Sequence, residues 1–182
     1  MREGDIEGLT CSVARTIGVV GERWTLLLLR EFFLGSRRFE ALQAHTGMSS
    51  RALADRLARL ARSGVIARSA YQERPLRHEY RLTDKGLDLY PVIVSMTRWG
   101  DRWARRKGEA PPARLLHKEC GHSFKPALTC AACGALAGAR DVRVEIGRKM
   151  TAERTAMREV FFAAVSRKRA RPTVHPRRIA IR

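Results

Sequence analysis

Residues 49–68 constrain the fold more than any other stretch of the chain. Leucines recur there at helical spacing and form one apolar stripe, which consists of Leu53, Leu57 and Leu60. The opposite side is polar and carries Arg51, Asp55, Arg56, Arg59 and Arg62. Because Ser49 is a favourable N-cap and Gly64 a favourable residue just past a helix end, the stretch predicts an amphipathic helix of about four turns. One face must be buried, and the other meets water or anions.

The residues before this helix complete a helix-turn-helix. A short helix is predicted over residues 38–45, where Phe39 and Leu42 supply the apolar anchors. Gly47 and Met48 form the turn that leads into the Ser49 helix. Two short helices joined by a glycine-containing turn, the second of them basic on its outer side, are typical of a DNA-binding helix-turn-helix.

A hairpin follows the basic helix. Strands are predicted at residues 65–71 and 78–82, and the loop between them carries Arg74, Pro75 and Arg77. A basic hairpin in this position is the wing of a winged helix-turn-helix. The predicted fold is therefore mainly α with a small β-hairpin (α+β).

The remaining helices are predicted to support this unit and to form a dimer. Two helices precede it, at residues 12–20 and 22–34, and a long one extends from residue 83, capped by Thr83 and Asp84, to residue 103. Pro91 should kink this last helix. Its aromatic side predicts a dimer interface shared with the first helix.

Composition points to a polyanionic partner. The 182 residues have a formal net charge of +18, and each Lys or Arg placed against a phosphate releases condensed counterions. An arginine bias can also arise from a GC-rich genome. No apolar run is long enough to span a bilayer and the N-terminus lacks a signal-peptide core, so a cytoplasmic protein without membrane contact is expected, with reduced cysteines. The chain contains no phosphate-binding glycine loop and no nucleophile elbow, which argues against an enzyme.

Nine short blocks in order resemble the HxlR-type transcriptional regulators. They are CSVARTI at 11–17, GERW at 21–24, LLRE at 28–31, RF at 38–39, SRAL at 50–53, LARL at 57–60, GVI at 64–66, EYRLT at 79–83, and Gly86. The resemblance covers about residues 10 to 105, although Ser12 stands where many members have proline. It implies a homodimer distantly similar to MarR proteins. Such a dimer would bind double-stranded DNA at a pseudo-palindromic operator with half-sites about one turn apart.

The basic helix is expected to enter the major groove with its N-terminal half. Ser49 and Ser50 can donate to phosphates or bases, and Arg51 and Arg56 can reach guanine in bidentate fashion. The other predicted DNA contacts are Asp55 and Arg59 on the same helix, Arg74, Arg77 and His78 in the wing along the minor groove, and Arg37 and Arg38 at phosphates. The alternative for each arginine is a solvated surface side chain.

The C-terminal part contains a cluster of possible zinc ligands. After an N-terminal arm (1–10), the main domain (11–107) and a linker (108–113), residues 114–147 carry a C-x-x-C-G pair typical of half a zinc knuckle, Cys130 and Cys133. The other half is either His117 with Cys120 or Cys120 with His122. A structural Zn²⁺ is expected; the alternative is a metal-free segment with decayed ligands. Residues 148–182 are predicted to be a basic helical and disordered tail.

Cys11 precedes the first helix. In the resembling family a cysteine at this position serves some members as a sensor of oxidants or electrophiles, and a helix N-terminus favours the reactive thiolate. The alternative is a small buried hydrophobic residue. The sequence thus predicts a sequence-specific transcriptional regulator. Sensing of oxidants or electrophiles through Cys11 is a hypothesis within this prediction, and the effector is unidentified. The rival hypothesis is a general nucleic-acid-binding adaptor that uses the zinc segment and the tail.

Overall fold

A computed structural model describes residues 8–74 and 76–169, in which helices flank a single antiparallel hairpin. In chain order the elements are α1 Ser12–Val20, α2 Arg23–Phe33, α3 Phe39–Thr46, α4 Ser50–Arg62, β1 Ile66–Gln72, β2 Arg77–Leu82, α5 Asp84–Leu87, α6 Tyr90–Trp103 and α7 Arg148–Arg169. The predicted mainly α fold with a small hairpin is confirmed. Residues 1–7 of the predicted arm, Pro75 of the wing loop and residues 170–182 of the predicted tail lie outside the described residues.

The core lies between α2, α3, α4 and the base of the hairpin. Its most deeply buried side chains are Leu28, Leu29, Leu42, Leu53, Leu57, Leu60 and Val65. All three leucines of the predicted α4 stripe are among them, and each such leucine contributes about 1.5–3 kcal/mol of hydrophobic free energy. Burial of this stripe fixes which face of α4 points outward.

Local capping explains where α2 and α4 begin and where α4 ends. Glu22 lies just before α2 and accepts hydrogen bonds from the backbone N–H of Trp24 and Thr25, at 3.0 and 3.3 Å. The Ser49 hydroxyl likewise accepts from the Ala52 N–H at 3.3 Å, as predicted for the N-cap of α4. Past the other end of α4, Gly64 takes the left-handed conformation, with φ of +71°.

The prediction of one long helix after the wing is wrong. The structure has a short α5, Asp84–Leu87, and a separate α6, Tyr90–Trp103, with Pro91 in the first turn of α6. Proline has no N–H to donate and clashes with the preceding turn, so it starts a helix more easily than it continues one. Pro91 therefore begins a new helix instead of kinking the old one.

A close approach between α5 and the residues just before β1 fixes where α5 begins. The Thr83 hydroxyl donates to the Gly64 carbonyl at 2.6 Å and accepts from the Gly86 N–H at 3.2 Å. A Cβ at Gly86 would overlap the Val65 carbonyl oxygen. Only glycine allows α5 to pack this closely against the hairpin.

Residues 104–147 contain no regular helix or strand, and none of them is buried. Two isolated bridges, Leu116↔Ser123 and Thr129↔Leu136, close two small turns within this stretch. The helix that follows, α7, agrees with the predicted helical part of the tail. Its Glu153 carboxylate accepts from the Thr10 N–H at 3.0 Å, which ties α7 to the segment before α1.

Candidate nucleic-acid interface

The turn between α3 and α4 is held at a defined angle by one side chain. Gly47 adopts the left-handed conformation with φ of +69°, and Met48 points into the core. The Gln43 amide of α3 donates to the Met48 carbonyl at 3.3 Å and to the Ser50 hydroxyl oxygen at 2.9 Å. Because Ser50 accepts from Gln43, its own O–H remains available to donate outward. The start of α4 is therefore positioned before any ligand arrives.

The outward side of α4 carries a row of exposed residues at helical spacing, here called the outer row: Arg51, Asp55, Ala58 and Arg62. It lies opposite the buried leucines of the same helix. Ser49 and Ser50 are also exposed at the N-terminal end. Within residues 8–74 and 76–169, Arg51 has no ion-pair partner. The structure thus presents the predicted Ser49, Ser50, Arg51 and Asp55 together on one accessible surface.

Arg56 lies elsewhere on the helix. Its guanidinium Nη2 is 3.2 Å from Glu22 Oε1, and its side chain is only 24% exposed. Glu22 therefore caps α2 and pairs with α4 at the same time. To reach a guanine, Arg56 would have to leave this ion pair.

The wing, defined as β1, β2 and their loop, exposes the predicted Arg74 and Arg77 near its tip. The strand register shifts between Ala70 and Gln72, and the Gln72 amide donates to the Arg74 carbonyl at 2.9 Å. His78 is half-buried, and its Nδ1 is 2.9 Å from Arg68 Nη2. Arg68 was missed by the sequence analysis, because its place beside His78 depends on the strand register, in which Ala70 is opposite His78.

The predicted phosphate contacts Arg37 and Arg38 are joined to the wing by the backbone. The Arg37 carbonyl accepts from the Tyr80 N–H at 2.8 Å, and Arg38 forms an isolated antiparallel bridge with Glu79. The Arg38 guanidinium also lies 4.7 Å from the centre of the Tyr71 ring. Both arginines remain exposed, so they extend the basic surface of the hairpin.

A buried carboxylate that the sequence analysis did not single out connects α2 to α3. Glu31 accepts from Arg30 Nη2 at 2.7 Å and from the Ser36 hydroxyl at 3.2 Å, and it contacts His45 Nδ1 at 3.0 Å. A buried charge needs such partners to be tolerated. In the sequence, Glu31 was marked only by its place in the LLRE block. The hydrogen-bond network around it is defined by the tertiary structure.

The four cysteines are free thiols at two different kinds of position. Cys11 is half-buried just before α1, and its carbonyl accepts from the Arg15 N–H at 3.1 Å. Cys120, Cys130 and Cys133 are exposed. In the second turn the backbone N–H of Cys133, and after it that of Ala132, donates to Cys130 and lowers the pKa of its thiol. In the part of the chain that the structure describes, no three His, Cys, Asp or Glu side chains come together as a potential metal site.

The fold and the outward face of α4 define a helix-turn-helix transcriptional regulator. A family model described as HxlR-like helix-turn-helix matches residues 19–108, and the chain belongs to this family. A relative, the uncharacterized HTH-type transcriptional regulator Rv3095 of Mycobacterium tuberculosis, is 46% identical over 136 residues, which are 75% of this chain and 85% of the relative.

Solved structures agree with this assignment. The crystal structure of PA1607, a candidate transcription factor, is similar with a TM-score of 0.71 at 31% identity, over 79% of this chain and 99% of that one. The candidate transcription factor PA1374 of Pseudomonas aeruginosa gives 0.53 at 29% identity, over 76% and 93%. All three proteins are described as transcription regulators or candidate transcription factors, which agrees with the predicted class. Among the described helices, none combines the length and apolarity needed to cross a membrane.

Proposed function

We propose that the protein is a homodimeric, sequence-specific DNA-binding regulator whose α4 reads the major groove while the wing lies along the minor groove. The observation that carries the proposal is the outer row of α4. It projects from a helix whose other face is buried and whose N-terminus Gln43 holds in place. Preorganised donors and a basic surface are what groove binding requires.

Base recognition is assigned to the N-terminal half of α4. Ser49 and Ser50 donate to phosphates or base edges, Arg51 donates to guanine O6 and N7, and Asp55 accepts from a cytosine amino group. Arg56 contributes only after exchanging Glu22 for DNA. The phosphate and minor-groove contacts are assigned to Arg59, Arg37 and Arg38, and to Arg74, Arg77 and His78 of the wing.

Homodimerisation is supported by exposed apolar side chains on the two helices predicted to meet a second copy. On α6, Trp99 and Trp103 are each 64% exposed, and on α1 Val13 and Ile17 are 65% and 49% exposed. Clustered large apolar side chains of this kind are seldom left in water. A second copy of the chain would cover them and would set the two α4 helices about one DNA turn apart.

Cys11 is proposed as the site where oxidants or electrophiles act. Cys11 lies directly before α1, one of the two proposed dimer helices, so an adduct or disulfide there would disturb the spacing of the two α4 helices. This part of the proposal concerns regulation only. If Cys11 did not sense oxidants, the proposal that the protein binds DNA through α4 would be unaffected.

The test compares binding of the purified protein to its own upstream intergenic DNA with binding to a scrambled duplex, at about 150 mM salt because affinities depend strongly on salt. We expect a preference for the natural sequence that diamide abolishes and Cys11→Ser protects. A diamide response that persists in Cys11→Ser excludes this thiol as the sensor. Equal binding to both duplexes would refute sequence-specific regulation and favour a general nucleic-acid-binding adaptor.

A further inference from the structure

Two turns in the segment after α6 have the same backbone hydrogen bonding. The first turn is closed by the bridge Leu116↔Ser123 and the second by Thr129↔Leu136, thirteen residues further on. In the first turn His117 N–H donates to the His122 carbonyl at 2.9 Å and Gly121 N–H to the His117 carbonyl at 2.8 Å. The equivalent bonds of the second turn are Cys130 to Ala135 at 2.9 Å and Gly134 to Cys130 at 2.8 Å. The two glycines have φ of +70° and +71°.

This equivalence decides which histidine belongs to the motif. His117 occupies the position of Cys130, and Cys120 occupies the position of Cys133. Cys120 and Cys133 are each followed by a left-handed glycine. His122 corresponds to Ala135, where the second turn has no metal-binding side chain. The spacing alone left His117 and His122 as alternatives, whereas the shared hydrogen bonding selects His117.

Each turn already brings its two metal-binding side chains together. His117 Nδ1 lies 3.3 Å from Cys120 Sγ. Two ligands on one tetrahedral zinc ion, with bonds of about 2.05 Å to nitrogen and 2.3 Å to sulfur, are separated by about 3.6 Å. In the second turn, hydrogen bonds from the backbone and side chain of Cys133 and from the backbone of Ala132 lower the pKa of the Cys130 thiol. The His117–Cys120 pair is therefore close to the separation that a shared metal ion imposes, and Cys130 and Cys133 occupy the equivalent positions of the second turn.

The segment also has no hydrophobic core of its own among the described residues. No residue between 104 and 149 is buried, and the large apolar side chains at the turns, Leu116, Leu128 and Leu136, are 55%, 78% and 73% exposed. A segment of this size without a core usually depends on a metal or a cross-link to hold one shape. The geometry of the turns and the exposure of the segment both favour stabilisation by a bound metal ion.

We propose that one Zn²⁺ joins the two turns through His117, Cys120, Cys130 and Cys133. Three thiolates and one imidazole form a tetrahedral structural set that favours zinc, and binding releases thiol protons to solvent. Among the described side chains no three potential ligands are grouped, so the ion must draw the two pairs together. This movement is feasible because none of the nine residues between Cys120 and Cys130 is buried.

The experiment uses the full chain, purified under reducing conditions without chelator. Inductively coupled plasma mass spectrometry should find about one zinc ion per chain. Titration of the zinc-free protein with Co²⁺ should produce the charge-transfer bands of thiolate ligands and the visible bands of tetrahedral cobalt. Circular dichroism at 222 nm verifies that each variant keeps its helices, which lie mainly outside this segment.

Matched variants test the ligand assignment. Cys133→Ser should lose stoichiometric zinc, and His117→Ala should weaken Co²⁺ binding by at least about tenfold. His122→Ala removes a neighbouring imidazole and should leave binding unchanged. Absence of zinc together with absence of cobalt bands would overturn the proposal, and so would loss of binding in His122→Ala with retention in His117→Ala. DNA plays no part in these measurements, so failure of the proposed regulator function would not affect them.

Discussion

Because Arg56 is paired with Glu22, we expect that neutralising this carboxylate by Glu22→Gln increases the affinity for specific DNA. In the free protein Arg56 is held 3.2 Å from the Glu22 carboxylate. Breaking this ion pair therefore offsets part of the free energy that a contact between Arg56 and guanine would contribute. Glu22→Gln removes the charge. It keeps an oxygen that can accept from the Trp24 and Thr25 N–H groups at the start of α2, so the helix cap survives.

The expected size follows from the distance and the exposure of the pair. At 3.2 Å the Coulomb energy in water is about 1.3 kcal/mol, and measured partly exposed pairs are worth about 0.2–1 kcal/mol after screening and entropy. Release of Arg56 should therefore tighten binding to the specific duplex about 1.4- to fivefold. The free energy of unfolding should fall by less than about 1 kcal/mol.

The assay is fluorescence anisotropy with the natural and the scrambled duplex. Glu40→Gln is the matched control, because it removes the same charge from the exposed side of α3 without involving Arg56. It corrects for the general gain in attraction to DNA. If Glu22→Gln and Glu40→Gln behave alike, and Arg56→Ala leaves the sequence preference unchanged, Arg56 serves only to hold α4 against α2.

Three further predictions test other parts of the molecule. Arg51→Ala should lose about 1–3 kcal/mol of preference for the natural duplex. Arg77→Ala should weaken binding to both duplexes alike and lower the slope of log K against log salt by about 0.9. Equal effects of the two variants would refute the division of roles. Gly86→Ala should lower the free energy of unfolding by about 1–3 kcal/mol in a urea titration, because a Cβ there overlaps the Val65 carbonyl, while Gly100→Ala, with open space around it, should stabilise α6 by up to about 1 kcal/mol. Trp99→Glu should shift the protein from dimer to monomer in analytical ultracentrifugation, and an unchanged mass would exclude α6 from the interface.

The sequence alone determined the elements whose signals are local. Caps, glycines and apolar spacing predicted α1 with its observed bounds, placed the start of α4 at Ser49, and identified the face of α4 that is buried. These predictions succeeded because capping and periodicity involve residues within about one turn of each other. The block resemblance likewise indicated the family before any fold was known.

The tertiary structure decided what depends on contacts between elements. The pairing of Arg56 with Glu22 results from the packing of α4 on α2, and the position of Arg68 beside His78 results from the strand register. The proposal of His117 instead of His122 as a zinc ligand rests on backbone hydrogen bonds that the spacing does not encode. Side chains on one helix face have the same sequence signature whether they meet water, DNA or a neighbouring helix, so only the packed fold separates these cases.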